Sequence, residues 1–308
     1  MTAFIKNDGR IVQIIDGFRQ RALTYRVRQT PQSDWTEEDY AGAVKKRLKR
    51  HKKLTEILSA HFGDLDKAEI MEIGCGDGIG TILLGLHPVK RAVGIDLDLR
   101  LDWRNDRGDS VRRLAGGIIG AVNGNEVSDQ KLENPPAEFY RMDATATNFP
   151  AESFDIILSR SVLEHIPQVL DLYEEINRLL RPGGIVYQEI DPFYWIRGCH
   201  KRGLVDIPWA HARLTLEEYR RLVVESEGPE IADKRLNRLA TLNRYSIREW
   251  KELHEKIPFQ LVSWQENKSA FCEEVLNENP DVRTTLLPGL TLDDLLIERI
   301  IVALRKPA

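Results

Sequence analysis

The sequence predicts an α/β protein built on a parallel sheet that helices cover on both faces. Five short apolar runs alternate with helical patterns between residues 69 and 190, and such alternation is typical of a chain that winds across a parallel sheet. The runs are almost continuously apolar, as in strands buried on both faces. A glycine-rich turn joins the first run to the helical pattern after it, and such turns often bind a ligand at the strand ends.

The composition excludes several classes of protein. The 308 residues are 42% hydrophobic and 30% charged, which is typical of a globular protein and not of a disordered one. No apolar stretch is long enough for a transmembrane helix, and the charged N-terminal residues do not resemble a secretory signal, so we expect a cytoplasmic protein. The 3 cysteines are too scattered for a disulfide framework or a zinc site. The net charge of −4 argues against nucleic-acid binding through the whole surface.

Residues 1–65 are predicted to form a helical N-terminal extension, or lid. Thr36 and Asp39 have the spacing of a capping box, which would open a helix that runs to about His61. The Lys- and Arg-rich run 45–53 lies in this helix. We interpret the run as a solvated helix face; the alternative is a surface for a phosphorylated or anionic partner.

Residues 66–190 hold the predicted sheet core. Its strands are predicted at 69–75, 91–98, 138–144, 154–160 and 184–190. The helices between them are predicted to begin near Ile79, Asp98, Ala144 and Gln168. The segment between the second and third strands is longer than one helix needs, and its Gly- and Asn-rich stretch at 114–129 predicts that part of it is a loop.

After residue 190 the alternation lapses. The segment 191–245 begins with many aromatic, His, Pro and Gly residues, and we expect a cap inserted on the substrate side. Thr215 with Glu218 and Ser246 with Glu249 are two more capping boxes. Apolar runs at 259–265 and 296–307 then predict that the C-terminal part, residues 246–308, completes the sheet.

The run Glu72–Gly80 (EIGCGDGIG) is the most informative motif. Glycines at a strand-to-helix turn let the backbone bend sharply and approach a ligand closely. The next strand ends at Asp96, and a carboxylate there can accept hydrogen bonds from a ribose diol. The glycines are spaced GxGxGxG instead of GxGxxG, and the Asp77 carboxylate would repel a pyrophosphate. We therefore favour S-adenosylmethionine over NAD as the cofactor; a nicotinamide-dependent oxidoreductase is the remaining alternative on this point.

Four motifs in this order resemble the class I S-adenosylmethionine-dependent methyltransferases. They are EIGCGDG, VGIDLD, RMDATATNFPAESFDIILSRSVLEHI and LLRPGGIV, and they span residues 69–190. Within that class, the sequence is most similar to the bacterial type 11 group that acts on small molecules and glycans. The resemblance implies a Rossmann-like, seven-stranded, mostly parallel sheet whose last strand is antiparallel, with residues 66–190 as the cofactor-binding core.

The resemblance also implies a set of cofactor-binding residues at the strand ends. They are Glu72, Gly74, Cys75, Gly76, Gly78, Asp96, Leu97, Asp143, Ala144, Ser159 and Arg160. In the family pattern Glu72 helps to hold the ammonium group, Asp96 binds the ribose, and Asp143 accepts from the adenine amino group. The alternative for Asp143 is a capping role, and Cys75 is expected to be a small packing residue.

Methyl transfer is a direct displacement, so positioning of the acceptor is the main contribution that a protein makes. A hydroxyl acceptor also benefits from a general base. The candidates follow the fourth and fifth strands or lie in the predicted cap: His165, Glu189, Asp191, His200 and His211. His165, next to Glu164, is our first choice, although each candidate has a structural alternative as a capping, packing or ion-paired residue. No pair has metal-ligand spacing, and no metal is expected.

The run Asp191–Tyr194 (DPFY) resembles the signature of DNA amino-group methyltransferases. That signature ends the fourth strand and has a second proline, whereas this run follows the fifth strand and has one. We therefore discount it.

The favoured hypothesis is methyl transfer to a small-molecule acceptor, a hydroxyl of a saccharide or natural product. The runs DIPWAHARLTLEEYRR and LNRYSIREW are similar to methyltransferases of bacterial polysaccharide clusters. One alternative is an RNA or protein methyltransferase that docks through 45–53 and whose binding depends steeply on salt. Another is a cofactor-binding module without catalysis.

Overall fold

A computed structural model describes residues 3–25, 34–99, 106–124 and 135–308. Its strands are β1 (Ala3–Ile5), β2 (Ile11–Gln13), β3 (Glu69–Ile73), β4 (Arg91–Asp96), β5 (Glu138–Arg141), β6 (Phe154–Arg160), β7 (Leu180–Ile190), β8 (Gln260–Lys268) and β9 (Ile297–Arg305). Seven of these strands form one sheet in the order β5-β4-β3-β6-β7-β9-β8. Strand β9 runs antiparallel to both neighbours, and the pairs from β5 to β7 are parallel. The predicted fold class, including the antiparallel last strand, is confirmed.

The described helices range in length from 4 to 26 residues. They are α1 (Phe18–Thr24), α2 (Glu37–Phe62), α3 (Ile79–Leu86), α4 (Asp106–Asn123), α5 (Val169–Leu179), α6 (His200–Gly203), α7 (Ala210–Arg213), α8 (Leu216–Glu227), α9 (Pro229–Ala240), α10 (Ile247–His254), α11 (Ala270–Glu278), α12 (Val282–Thr285) and α13 (Leu292–Leu296). All three predicted capping boxes are present, at the starts of α2, α8 and α10. No helix in the described ranges is long and apolar enough to cross a membrane.

Helices bury both faces of the sheet. Successive strand residues point to opposite faces, so Met71 of β3 packs in a cluster with α5 and α10. Its neighbour Ile70 packs on the other face, with Leu54 and Leu58 of α2. The double cover explains why the strands are apolar at nearly every position.

A second hydrophobic core lies outside the sheet. It combines side chains from three parts of the chain, represented by Phe4 and Phe18, by Trp209 and Tyr219, and by Phe271. We call this unit the cap layer: residues 3–25, 191–242 and 270–296. The sequence suggested a cap in 191–245 only, with 1–65 as a helical extension and 246–308 as part of the sheet. Residues 3–25 and 270–296 thus belong to the cap layer, although the sequence analysis assigned them to the extension and to the sheet.

The structure differs from the sequence-based expectations at three places. The extension contains the antiparallel hairpin β1–β2, whose three-residue strands are too short to show a clear alternation. The segment 114–123 is helical: α4 buries Leu114 and Ile118 against Ile79 and Leu83 of α3. Its glycines allow close packing, since a Cβ at Gly117 would lie 3.0 Å from Val44 of α2. The rest of this Gly- and Asn-rich stretch, at 125–129, lies outside the described residues.

The helix that we predicted near Ala144 is also absent from the described residues 142–153. An Asx turn replaces it, in which Asp143 Oδ1 accepts hydrogen bonds from Thr145 N at 2.9 Å and from Thr145 Oγ1 at 2.8 Å. Side chains of this kind compete with the helix for the backbone N–H groups.

Candidate functional site

The glycine loop between β3 and α3 has three residues in the left-handed region. Gly74, Gly76 and Gly78 have φ of 70°, 55° and 73°, which side chains with a Cβ rarely adopt. A Cβ at Gly74 would come within 2.3 Å of Val162, so this glycine allows two loops to pack closely. A Cβ at Gly76 would meet nothing within 4 Å. The backbone at Gly76 is therefore open to a ligand.

Asp96 ties this loop to the end of β4. Its carboxylate accepts from the backbone N–H of Gly76 at 2.9 Å and of Asp98 at 2.8 Å. A carboxylate can accept about four hydrogen bonds, so capacity remains for a ligand diol. The next side chain, Leu97, is 67% exposed, which leaves an apolar surface beside that carboxylate.

These residues line a cleft of about 380 Å³ at the carboxyl ends of the parallel strands, large enough for a nucleoside-sized ligand. We call it the strand-end cleft. Six of the predicted cofactor residues line it together with His165: Gly74, Gly76, Asp96, Leu97, Asp143 and Ala144. The carboxylate of Asp143 holds the turn through Oδ1, and its Oδ2 makes no hydrogen bond within the described parts of the chain. The two interpretations of Asp143 therefore use different oxygens.

The other predicted cofactor residues are Glu72, Cys75, Gly78, Ser159 and Arg160, and the structure places none of them on the lining of this cleft. The Glu72 carboxylate is buried and accepts from Thr81 Oγ1 at 2.7 Å and Arg160 Nη2 at 2.6 Å. Its charge raises the pKa of Arg160. The pair fixes α3 and β6 beneath the loop.

Cys75 and Ser159 are buried in the same region. Burial raises the pKa of the Cys75 thiol, so the thiolate is disfavoured there. This agrees with the expected packing role of Cys75.

Two of the catalytic candidates meet at the mouth of the strand-end cleft. The rings of His165 and His200 are stacked with centroids 4.9 Å apart and an interplanar angle of 18°. His200 and Asp191 line a second cavity of about 580 Å³, which we call the basic pocket. Its lining consists of Leu23, Asp191, Trp195, Arg197, Gly198, His200, Lys201, Arg202 and Arg238. Arg238 lines both cavities, which therefore adjoin.

Two other candidates do not reach the cleft. The Glu189 carboxylate accepts from Arg299 Nη1 at 3.0 Å and faces a different cavity, beside α2. His211 is buried in the cap layer, where its Nε2 donates to Trp195 O at 3.1 Å. Burial lowers the pKa of His211 to about 4. Both side chains thus have the environment of their structural alternatives: Glu189 is ion-paired and His211 is a core residue.

Sequence analysis did not identify several residues that line the cleft: Met142, Ser161, Val162, Ile166 and Arg238. Ser161 has φ of 57°, and strained non-glycine residues of this kind cluster at functional sites. Its position directly after the fourth strand is a signal that sequence analysis could have used. Arg238 carries no such signal, since it lies far along the chain in α9.

A short turn of 3₁₀ helix, Leu163–His165, places Glu164 beside the stacked histidines. Asn243 holds this turn: its Nδ2 donates to Leu163 O at 2.6 Å and to Ile166 O at 3.1 Å. Glu164 is 1% exposed, and neither carboxylate oxygen has a hydrogen-bond partner in the described residues. Burial, together with the nearby Asp191 charge, raises the pKa of Glu164 to about 8.

Comparison with known proteins places this geometry in a family context. A family model described as a methyltransferase domain matches residues 44–263, which is more than half of the chain. Its description names no acceptor.

Two curated relatives match parts of the chain. Phthiotriol/phenolphthiotriol dimycocerosates methyltransferase of Mycobacterium leprae is 27% identical over 154 residues, 49% of this chain and 46% of the relative. Cycloartenol-C-24-methyltransferase of Arabidopsis thaliana is 26% identical over 141 residues, 46% of this chain and 35% of the relative. The chain thus matches less than half the length of these relatives, and their names point to different acceptors.

A similar solved structure is geranyl diphosphate C-methyltransferase from Streptomyces coelicolor A3(2), in complex with Mg²⁺, geranyl diphosphate and S-adenosyl-L-homocysteine. It is 11% identical, with a TM-score of 0.46, and the match covers 89% of this chain and 85% of that one.

Proposed function

Because the chain belongs to the class I S-adenosylmethionine-dependent methyltransferase family, we propose that it transfers a methyl group to a hydroxyl of a small acceptor that carries an anionic group, such as an acidic saccharide. One observation carries this proposal: the strand-end cleft and the basic pocket meet at Arg238 and at the stacked His165 and His200. A cofactor in the first cavity and an acceptor in the second would face each other there.

The residues of the strand-end cleft fit the cofactor. The open backbone at Gly76 leaves room for its methionine part, the Asp96 carboxylate suits the ribose diol, and the exposed Leu97 offers an apolar face to the adenine. When bound, S-adenosylmethionine supplies a methyl group on a positively charged sulfur. The protein then has to hold the acceptor oxygen in line with that methyl group and exclude water.

The charge of the basic pocket supports an anionic acceptor. Its lining carries four cationic side chains, Arg197, Lys201, Arg202 and Arg238, against the single carboxylate of Asp191. Arginine pairs well with carboxylates and phosphates because its planar fork donates two parallel hydrogen bonds. Trp195 on the same lining adds a flat face on which a sugar or planar ring can pack.

His165 lines the strand-end cleft and stacks on His200, which lines the basic pocket. Burial and the neighbouring His200 lower its pKa to about 4, so the ring is neutral near pH 7. We place the acceptor hydroxyl beside this ring. Since a group with so low a pKa is a weak base, its main contribution is to orient the hydroxyl.

The proposal is tested by incubating the full chain with methyl-labelled S-adenosylmethionine and pairs of saccharides that differ only by a carboxylate. We expect label in the acidic member of a pair. Arg238→Ala should raise KM for that acceptor about tenfold, the equivalent of one charge-assisted contact of about 1.5 kcal/mol. The control Arg220→Ala removes an exposed arginine paired with Asp233, outside both cavities, and should change little. Equal transfer to the neutral partners, or equal KM for the two variants, would contradict the proposal.

A second candidate, methylation of RNA or a protein, is favoured by one observation. The basic run 45–53 lies on α2, mostly exposed, and Arg47 Nη2 lies 3.7 Å from Asp77 Oδ2 in the glycine loop. This candidate predicts binding of a polyanion that weakens steeply between 50 and 200 mM salt. Transfer to RNA with that salt dependence, and to none of the saccharides, would favour it. Cofactor binding without transfer to any acceptor would favour the non-catalytic module.

A further inference from the structure

Glu164, His165 and His200 form a cluster of ligand atoms at the boundary between the two cavities. A carboxylate oxygen of Glu164 and one ring nitrogen from each histidine lie within 4.8 Å of one another. Ligand atoms of a tetrahedral ion stand about 3.4 Å apart when each metal–ligand bond is about 2.1 Å. Side-chain rotations that bring the three donors closer together would therefore place them at bonding distance from one ion.

We propose that Glu164, His165 and His200 bind a divalent transition-metal cation, for which Zn²⁺ is the test ion. Two imidazoles and one carboxylate are a donor set that suits Zn²⁺ and Fe²⁺ better than Mg²⁺ or Ca²⁺, which prefer oxygen ligands alone. Three protein ligands with open positions are also the usual arrangement of a catalytic zinc site.

The unpaired polar atoms of the cluster support the proposal independently of the distances. Both carboxylate oxygens of Glu164 and Nε2 of His200 are buried without a hydrogen-bond partner in the described part of the chain. A buried polar atom without a partner costs about 1–3 kcal/mol, and more when the group is charged. A cation held by Glu164 and the two histidines would satisfy the carboxylate and use both imidazoles as neutral ligands.

The surrounding structure holds the three ligands in place. Asn243 fixes the turn that carries Glu164 and His165, and its backbone N–H donates to Glu164 O at 2.8 Å. His200 begins α6. Asp191, which the Arg299 guanidinium holds at 2.9 Å, adds negative charge close to Glu164.

The open positions of such a cation would face the basic pocket, whose lining includes His200. A role for this cation in catalysis rests on the proposed function. The cation would contact the oxygen of the acceptor hydroxyl and lower the pKa of that hydroxyl, so that a weaker base could remove the proton. Binding of the metal itself does not depend on methyl transfer and can be measured without it.

The test is calorimetric titration of ZnCl₂ into the metal-stripped full chain. We expect one site with a micromolar Kd, weakened at least tenfold in Glu164→Gln and in His200→Ala. Co²⁺ in the wild-type protein should give a visible absorption band that both variants lose. The matched control is His87→Ala. His51 and His87 are also adjacent, with ring centroids 6.1 Å apart, but they belong to no three-residue ligand cluster in the described parts of the chain.

The outcomes separate this proposal from the proposed function. Titration of S-adenosylhomocysteine into the same samples reports whether each variant keeps its fold and its cofactor site. Weak or absent Zn²⁺ binding by the wild-type protein would overturn the metal site and leave the cofactor site standing. Zn²⁺ binding that His87→Ala removes, or that neither Glu164→Gln nor His200→Ala weakens, would overturn it as well.

Discussion

At the residue scale, Asp96 has a structural role and a proposed binding role. The same carboxylate holds the Gly76 and Asp98 backbone N–H groups and faces the strand-end cleft. Its position after the second strand of the core could be predicted from the sequence. Its hydrogen bond to the glycine loop could not be predicted, because a hydrogen bond between two loops depends on the register of β3 and β4.

The first prediction concerns this carboxylate. Asp96→Asn keeps the side-chain shape but removes the charge and one acceptor, so it should weaken binding of S-adenosylhomocysteine by about 10- to 100-fold, equivalent to about 1.5–3 kcal/mol. Calorimetry measures the change, with Asp171→Asn, an exposed carboxylate in the first turn of α5, as the control. An unchanged Kd for Asp96→Asn would rule out the ribose assignment.

The second prediction concerns His211, which is buried neutral in the cap layer. Its folded pKa of about 4 lies below the model-peptide value of 6.5, so the unfolded chain binds the proton more tightly. The resulting stability is present above pH 6.5 and is lost as the pH falls toward 4. From pH 7 to pH 5 this group should lower the free energy of unfolding by about 2 kcal/mol.

Urea unfolding at the two pH values measures this loss. His211→Gln does not titrate in this range, and it can still donate to Trp195 O. The variant should therefore lose about 2 kcal/mol less than the wild-type protein over the same interval. The same loss in both proteins would show that His211 is not the group responsible.

At the element scale, the starts of helices could be predicted from short-range sequence signals. The close packing of one helix against another could not. Each capping box depends on two residues three positions apart, and all three were found in the sequence. The helical state of 114–123 was missed because its glycines suggested a loop. In the structure, Gly117 allows α4 to pack against α2, a contact between elements far apart in the chain.

Gly80 in α3 gives the third prediction, because it leaves room for a buried ion pair. A Cβ there would lie 2.3 Å from Arg160 Nη2 and 2.7 Å from the Glu72 carboxylate oxygens. Gly80→Ala should therefore displace the pair and lower the free energy of unfolding by about 2 kcal/mol, less than the full loss of a buried pair.

Gly42 in α2 is the matched helical control, since a Cβ there would meet nothing within 4 Å. Gly42→Ala should raise the free energy of unfolding by about 0.5–1 kcal/mol, through helix propensity and a more restricted unfolded chain. Urea unfolding compares the two variants. If both substitutions raised the free energy of unfolding, the Glu72–Arg160 pair would not lie against Gly80 as the structure shows.

At the scale of the whole molecule, the cap layer joins segments that are distant in the sequence. Residues 3–25 and 270–296 pack on 191–242 around one apolar core, and the same layer supplies His200 and Arg238 to the two cavities. The sheet could be predicted because its pattern is local and repeated. The cap layer could not, because no local pattern in the N-terminal segment shows what it packs against.

The fourth prediction tests this composition of the cap layer with two adjacent residues of β1. Phe4 is 2% exposed and Ile5 is 62% exposed. Phe4→Ala should cost about 3–5 kcal/mol, whereas Ile5→Ala should stay within about 0.5 kcal/mol. Hydrogen exchange should become faster in 191–242 of the Phe4 variant and stay unchanged in β3–β7. Uniformly faster exchange across the sheet, or equal effects of the two substitutions, would contradict a separate cap-layer core.

The strand-end cleft is the proposed binding site of S-adenosylmethionine. The most direct measurement is calorimetric titration of S-adenosylmethionine, S-adenosylhomocysteine and NAD into the purified full chain. We predict micromolar binding of both sulfur compounds with one site per chain, and no binding of NAD. Binding of NAD, with neither sulfur compound bound, would contradict the assignment and point to an oxidoreductase.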